Sequence, residues 1–277
     1  DFGIISLKDF GSILSMRPDA KAEVLAALRE IYDGAWTRHL GSDGGRTLAW
    51  QGKVALIFGA TGVIDSHYAV IGAMGDRFLL NRLAPGNGQF ARALQHAGAA
   101  TGQMRKELAQ AVSRLFASPL RKPRPLADEE FARLDRAVTL VVRLRGAVER
   151  DRNSREIEAI YGAEGTARIG LTLERLLAGL DTLGVDREIA LDVVEQVAMD
   201  SVPPLRRRAY EYLISLTPDL TGIAKAETSA VAKVIGLPTV TVRRALEDLA
   251  AYGLVERVSQ GAGKADLWTA HPWEGES

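Results

Sequence analysis

The chain has 277 residues, with 35 Lys and Arg against 35 Asp and Glu, so no overall field calls for a nucleic acid or an anionic membrane. It is 47% hydrophobic, enough for one or two packed cores, and it has no cysteine. That excludes disulfides and thiolate metal sites and fits a cytoplasmic protein. No apolar run nears the ~18 residues of a spanning helix, and no basic-then-apolar leader opens the chain, so no membrane partner is expected. The charge balance is uneven locally: residues 121–155 and 206–208 are Arg-rich.

Taken in order, Gly3 to Leu7 predicts a short buried strand that delivers Asp9 at its carboxyl end. An Asp there can hold a Mg²⁺-bound water, or it can cap the loop that follows. Asp1-Phe2-Gly3 matches a kinase metal-binding triplet, but nothing else of a kinase accompanies it. Residues 19–32 carry Val24, Leu25, Leu28 and Ile31 at helical spacing. Residues 36–50 predict a β-hairpin whose tip region carries Arg38, His39 and Arg46. Such a tip is either solvated or set against a phosphate backbone.

Val54 to Phe58 is a second apolar run, too short for a helix, and predicts a strand buried on both faces. Thr61 follows its carboxyl end, where ligands of open α/β sheets bind. Gly59-Ala60-Thr61-Gly62 invites a dinucleotide-binding reading, yet Asp65 stands where the third glycine is needed. Residues 65–74 predict a short helix and residues 77–83 another strand, opened by Arg77 and containing Arg82. From residue 87 the pattern is helical, with segments over 89–116, 126–150, 165–180, 186–199 and 204–216.

The last segment has its own order. Residues 229–235 predict a helix, Gly236-Leu237-Pro238 a turn, and residues 239–252 a second helix with Val242, Leu246 and Leu249 on one face. Residues 254–258 and 266–268 predict a hairpin whose tip carries Lys264. Helix, tight turn, helix and two-stranded wing spell a winged helix-turn-helix. Thr239, Thr241, Arg243 and Arg244 would face DNA. The alternative is a winged helix used for protein contacts.

With these parts in order, the chain resembles the later part of an AAA+ type P-loop ATPase, of the phage or plasmid helicase and primase-associated kind. Residues 3–9 look like the Walker B strand, residues 36–50 like the pre-sensor-1 hairpin, and Thr61 falls at sensor 1. Gly75-Asp76-Arg77-Phe78 looks like an arginine-finger box and Gly165-Thr166-Ala167-Arg168 like a sensor 2 motif. The resemblance implies a fold class: α/β, a partial ATPase core over 1–86, then an all-α lid over 87–217 and a winged helix over 218–277.

It also implies ATP and Mg²⁺ as cofactors, DNA as partner and a homo-oligomer. Asp9 would polarise the attacking water or hold the metal, and Thr61 would bind that water or the γ-phosphate. Arg77 would act in trans as a finger worth ~10³-fold in rate. Arg82 would be a second finger candidate, and Arg168 would sense nucleotide. A plain alternative pairs Arg77 with Asp76 or Asp65.

Two departures stand out. Lys8 occupies the place of the metal-binding Asp, and no Gly-x-x-x-x-Gly-Lys-Ser/Thr loop is present. The expectation is therefore a fragment whose phosphate loop lies upstream. The competing readings are a winged-helix regulator of DNA and a nucleotide-independent replication adaptor.

Overall fold

The computed structural model describes residues 2–41, 45–67, 77–83, 91, 94, 100–151, 153–161, 165–217, 224–258, 260, 261, 265–270 and 273. The fold is mixed α/β with small sheets, one of them a parallel pair. The chain divides into two units, Asp1–Phe78 and Leu79–Ser277. The expected boundary near residue 86 thus falls earlier.

In the first unit, strand β1 (Phe2–Leu7) leads through α1 (Gly11–Leu14) and α2 (Pro18–Asp33) to the strands β2 (Ala35–Leu40), β3 (Arg46–Gln51) and β4 (Lys53–Phe58). β1 and β4 pair in parallel, from Phe2 with Lys53 to Leu7 with Phe58. The two apolar runs therefore share one sheet, as expected. The ladder continues past the strands: Gly59 N–H donates to Leu7 C=O at 2.9 Å, and Phe10 N–H donates to Gly59 C=O at 2.8 Å. A Cβ on Gly59 would lie 2.6 Å from the Lys8 carbonyl oxygen, so this crossing requires glycine.

Helix α2 opens on Pro18, whose missing N–H costs nothing in the first turn, and stops at Gly34 with φ 98°. Its Leu25 and Leu28 are buried with Phe10, Ile13 and Leu14, and Leu7, Leu56, Phe58, Ile64 and Phe78 pack against that cluster. Phe58 stacks on Phe10 at 5.0 Å and on Phe78 at 5.4 Å.

The expectation that β4 is buried on both faces is overturned. Leu56 and Phe58 face the cluster, while Ile57, between them, is 58% exposed. Period-two alternation with helices on one side leaves the other side open. β2 and β3 form the expected antiparallel hairpin, with Trp36 opposite Trp50 and Leu40 opposite Arg46.

One local expectation fails and another falls mostly outside the described residues. The helix predicted over 65–74 begins instead as a 3₁₀ segment, Gly62–His67, and residues 68–76 lie outside the described residues. Residues 77–83 form no strand. In the second unit, Leu80 N–H donates to Ser201 Oγ at 2.9 Å and Arg82 N–H donates to Asp200 Oδ2 at 2.7 Å. Side chains at a helix end take the place of a ladder partner.

The second unit holds α3 (Ala100–Ala117), α4 (Asp128–Arg145), the hairpin β5 (Val148–Arg150) and β6 (Ile157–Ile160), then α5 (Thr166–Thr182), α6 (Arg187–Asp200) and α7 (Pro204–Ile214). There follow β7 (Ala226–Glu227), α8 (Thr228–Ile235), α9 (Thr239–Ala251), β8 (Glu256–Val258) and β9 (Leu267–Thr269). The sheet order is β7-β9-β8, all antiparallel. One buried cluster runs from Leu134 in α4 to Ala270 after β9, so the segments expected as lid and winged helix share a core.

The helix expected over 126–150 is shorter at both ends. Its N-terminus is satisfied by Glu130, whose Oε2 accepts from Ala127 N–H at 3.0 Å. The C-terminal end is set by Gly146: a Cβ there would lie 2.1 Å from the Tyr252 ring. The ring lies over that glycine, its hydroxyl donates to Ala147 C=O at 2.7 Å, and the chain turns into β5.

Candidate nucleic-acid interface

The site is built around α9. Helix α8 ends at Gly236, φ 75°, whose N–H donates to Ala232 C=O at 2.8 Å. Only a residue at ease in the left-handed region turns the chain so tightly. Pro238 then caps α9. Val242, Ala245, Leu246 and Leu249 bury one side of the helix. Thr239, Val240, Thr241, Arg243 and Arg244 are exposed on the other side, Val240 at 62%.

The strands that follow are held from inside. Trp268 on β9 is fully buried and its indole N–H donates to Thr228 Oγ1 at 2.8 Å. Arg257 on β8 pairs with Asp266 at 2.7 Å and lies 5.9 Å from the Trp268 ring. Gly261, φ 100°, stands near the tip, and Lys264 lies outside the described residues.

A second hairpin stands beside α9. Arg150 at the end of β5 donates to Arg244 C=O at 3.1 Å, to Glu247 Oε2 at 3.0 Å and to Asp248 Oδ1 at 2.5 Å. Burial opposes the charge on Arg150, but the bonds from Asp248 and Glu247 outweigh it and hold its pKa above the ordinary guanidinium value. Arg206 on α7 joins the same group at Asp248 Oδ2, 2.9 Å. The hairpin is thus fixed to α9 by partly buried charge.

Between β5–β6, α9 and β8–β9 lies a cleft of about 650 Å³. Val240, Arg243, Arg244, Arg155, Ile157 and Arg257 line it. Arg243 is engaged by Glu247 at 3.0 Å and lies 3.8 Å from Asp266. No side-chain hydrogen bond or ion pair engages Arg244 or Arg155 among the described residues.

The comparison of the sequence with known families and with curated proteins finds no match.

The remaining predicted site residues fall in three places. Asp9 and Thr61 follow the adjacent carboxyl ends of β1 and β4, and both are exposed. The Asp9 carboxylate accepts from Gly11 N–H at 2.8 Å, as the capping alternative expects. Among the described residues no cluster of three or more His, Asp or Glu could hold a metal. Lys8 is exposed beside it.

Of the acidic partners expected for Arg77, Asp76 lies outside the described residues. Arg77 forks onto Asp33 at the end of α2, Nε to Oδ1 at 3.0 Å and Nη2 to Oδ2 at 2.6 Å, and its side chain is 12% exposed. Arg82 donates from Nε to Asp200 C=O at 2.7 Å, so it belongs to the second unit. Arg168 lies exposed in the first turn of α5.

On the β2–β3 hairpin, Arg38 lies 3.3 Å from Glu23, His39 Nδ1 lies 3.0 Å from Thr47 Oγ1, and Arg46 is exposed.

Sequence reading missed the β5–β6 hairpin and with it Arg150 and Arg155. A signal existed. Asp151 Oδ1 accepts from Asn153 N–H at 2.8 Å, an Asx turn that Asp151, Asn153 and Ser154 advertise, and Ile157 and Ile160 flank a short strand.

Proposed function

We propose that the protein binds DNA through α9 and the β8–β9 hairpin, acting as a winged helix-turn-helix. The observation that carries this reading is the division of α9. Val242, Ala245, Leu246 and Leu249 are turned inward, and two threonines and two arginines are left on the outer face beside Val240. A helix about 10–12 Å across fills a major groove about 12 Å wide. Threonine and arginine are side chains that reach base edges and phosphates there. Arg244, free of side-chain partners among the described residues, is the first candidate for direct contact.

The test is anisotropy of a labelled duplex titrated with the full chain over a salt series. Binding that weakens steeply with salt is expected, and Arg244→Glu should weaken it further at every salt concentration. Binding indifferent to both salt and Arg244→Glu would reject the reading.

A second reading concerns the first unit, as part of an AAA+ ATPase that uses ATP and Mg²⁺ in a homo-oligomer. What favours it is the parallel pairing of β1 with β4, which brings Asp9 and Thr61 to one sheet edge. What weighs against it is that Asp9 caps its own loop and Arg77 is held by Asp33. On balance the DNA-binding reading stands on more of the molecule than the ATPase reading does.

A further inference from the structure

No motif connects the β5–β6 hairpin with α9, yet the two frame one cleft. Three observations converge on it. First, the hairpin does not merely pass by: Arg150 bolts it to the Arg244 carbonyl and to two carboxylates of α9. Second, the turn of this hairpin holds Arg155 at φ 64°, the one described non-glycine residue with a positive φ. A long β-unbranched cation in that conformation is uncommon, since glycine or asparagine fits it with less strain. Third, the charge lining the cleft is uneven. Arg155, Arg243, Arg244 and Arg257 face it with Glu156 and Glu247, and Glu247 is already engaged by Arg150 and Arg243.

We propose that this cleft takes one phosphodiester strand of the bound nucleic acid, with Arg155 on the hairpin and Arg244 on α9 contacting its phosphates from opposite walls. The inference rests on the DNA-binding reading of α9 and adds a second element to it. A helix seated in a major groove has a phosphate strand running along each flank. On one flank of α9 that strand meets the β5–β6 hairpin. Val240 and Ile157 line the cleft together with these cations. The hairpin positions the strand and reads no sequence.

The test uses the full chain, a duplex of about two helical turns, and one of its strands alone. Arg155→Ala should weaken duplex binding several-fold, equally for unrelated sequences. It should also lower the slope of log K against log salt by about 0.9, the signature of one lost phosphate contact. Arg155→Lys should keep that slope. Arg155→Gly should lose it while melting no earlier than wild type, because glycine relaxes the turn; this separates the contact from folding. Arg175→Ala, an exposed change on α5, serves as the control and should leave the slope unchanged.

If Arg155→Ala binds like wild type while Arg244→Glu does not, the hairpin has no part in binding, and the reading of α9 survives without it. If wild type binds the single strand but not the duplex, the phosphodiester cleft stands and major-groove docking falls. If wild type binds neither, both fall.

Discussion

The two units solve the same problem differently. Each has two small sheets and helices packed on them, but among the described residues only the second closes a core around one of its sheets. There, Trp268 on the central strand is fully buried, as are Val231, Leu246 and Leu249 from the helices packed on it. In the first unit the described residues cover one face of the parallel pair, and Ile4 and Ile57 are each 58% exposed. Parallel strands are found with both faces covered almost without exception. The difference teaches that the pairing of β1 with β4 is legible as local chemistry, whereas its covering is a separate matter that a two-stranded sheet cannot supply from itself.

The largest effect that would sharpen this contrast lies in the second unit. Arg187 is 8% exposed and donates to Asp181 Oδ2 at 2.5 Å and to Glu130 Oε2 at 2.7 Å. Arg187→Ala would leave Asp181, 5% exposed, as a buried charge without its main partner. We expect a loss of about 3–5 kcal/mol in the second unit, seen in urea unfolding, with the transition of the first unit unmoved. A common shift of both transitions would show that the units unfold as one.

The same group sets an acid limit. The hydrogen bond from Arg187, helped by the Ala127 N–H, lowers Glu130 from 4.5 to about 2. Because the folded value lies below the unfolded one, this contribution is complete above about pH 4.5 and is lost as pH falls toward 2. Melting temperatures of Glu130→Gln should therefore fall less steeply across that window than those of wild type. Equal slopes would assign the acid limit to other carboxylates.

A smaller effect is expected in the first unit. The Arg77–Asp33 fork is bidentate, but Asp33 is 53% exposed, so solvent screens it. A double-mutant cycle of Arg77→Ala and Asp33→Ala should give a coupling of about 1 kcal/mol. A coupling near zero would mean that Arg77 is not needed as a strut, and would leave it available to reach another subunit as the ATPase reading asks.

Much of this was legible beforehand where the signal was local. Leu25 and Leu28 on α2, Trp36 opposite Trp50, and Val242, Leu246 and Leu249 on α9 all follow from a period of 3.6 or 2. So did the tight turn at Gly236, which needs a residue at ease with positive φ. The failures share one cause, dependence on a partner distant in sequence. Residues 77–83 look like a strand, but Ser201 and Asp200 accept the hydrogen bonds of Leu80 and Arg82. The end of α4 was unreadable because it is fixed by Tyr252, more than a hundred positions away. Arg77 read as a finger because Asp33 lies 44 positions before it, outside any motif window. Arg155 was missed because its importance arises only when the hairpin is set against α9.

The smallest expected effect is the most direct test of the contrast itself. Ile57 sits between Leu56 and Phe58, yet points away from the cluster they join. If its face is open to water, Ile57→Thr exchanges one β-branched residue for another of good strand propensity and buries no new hydroxyl. The stability change of the first unit should then stay within about 0.5 kcal/mol, as for ordinary surface substitutions. The paired change Leu56→Thr, on the covered face, should cost clearly more, because its hydroxyl would enter the cluster with Phe10 and Leu25. A cost at Ile57 as large as that at Leu56 would mean that both faces are packed in solution. The first unit would then resemble the second, and the asymmetry between them would vanish.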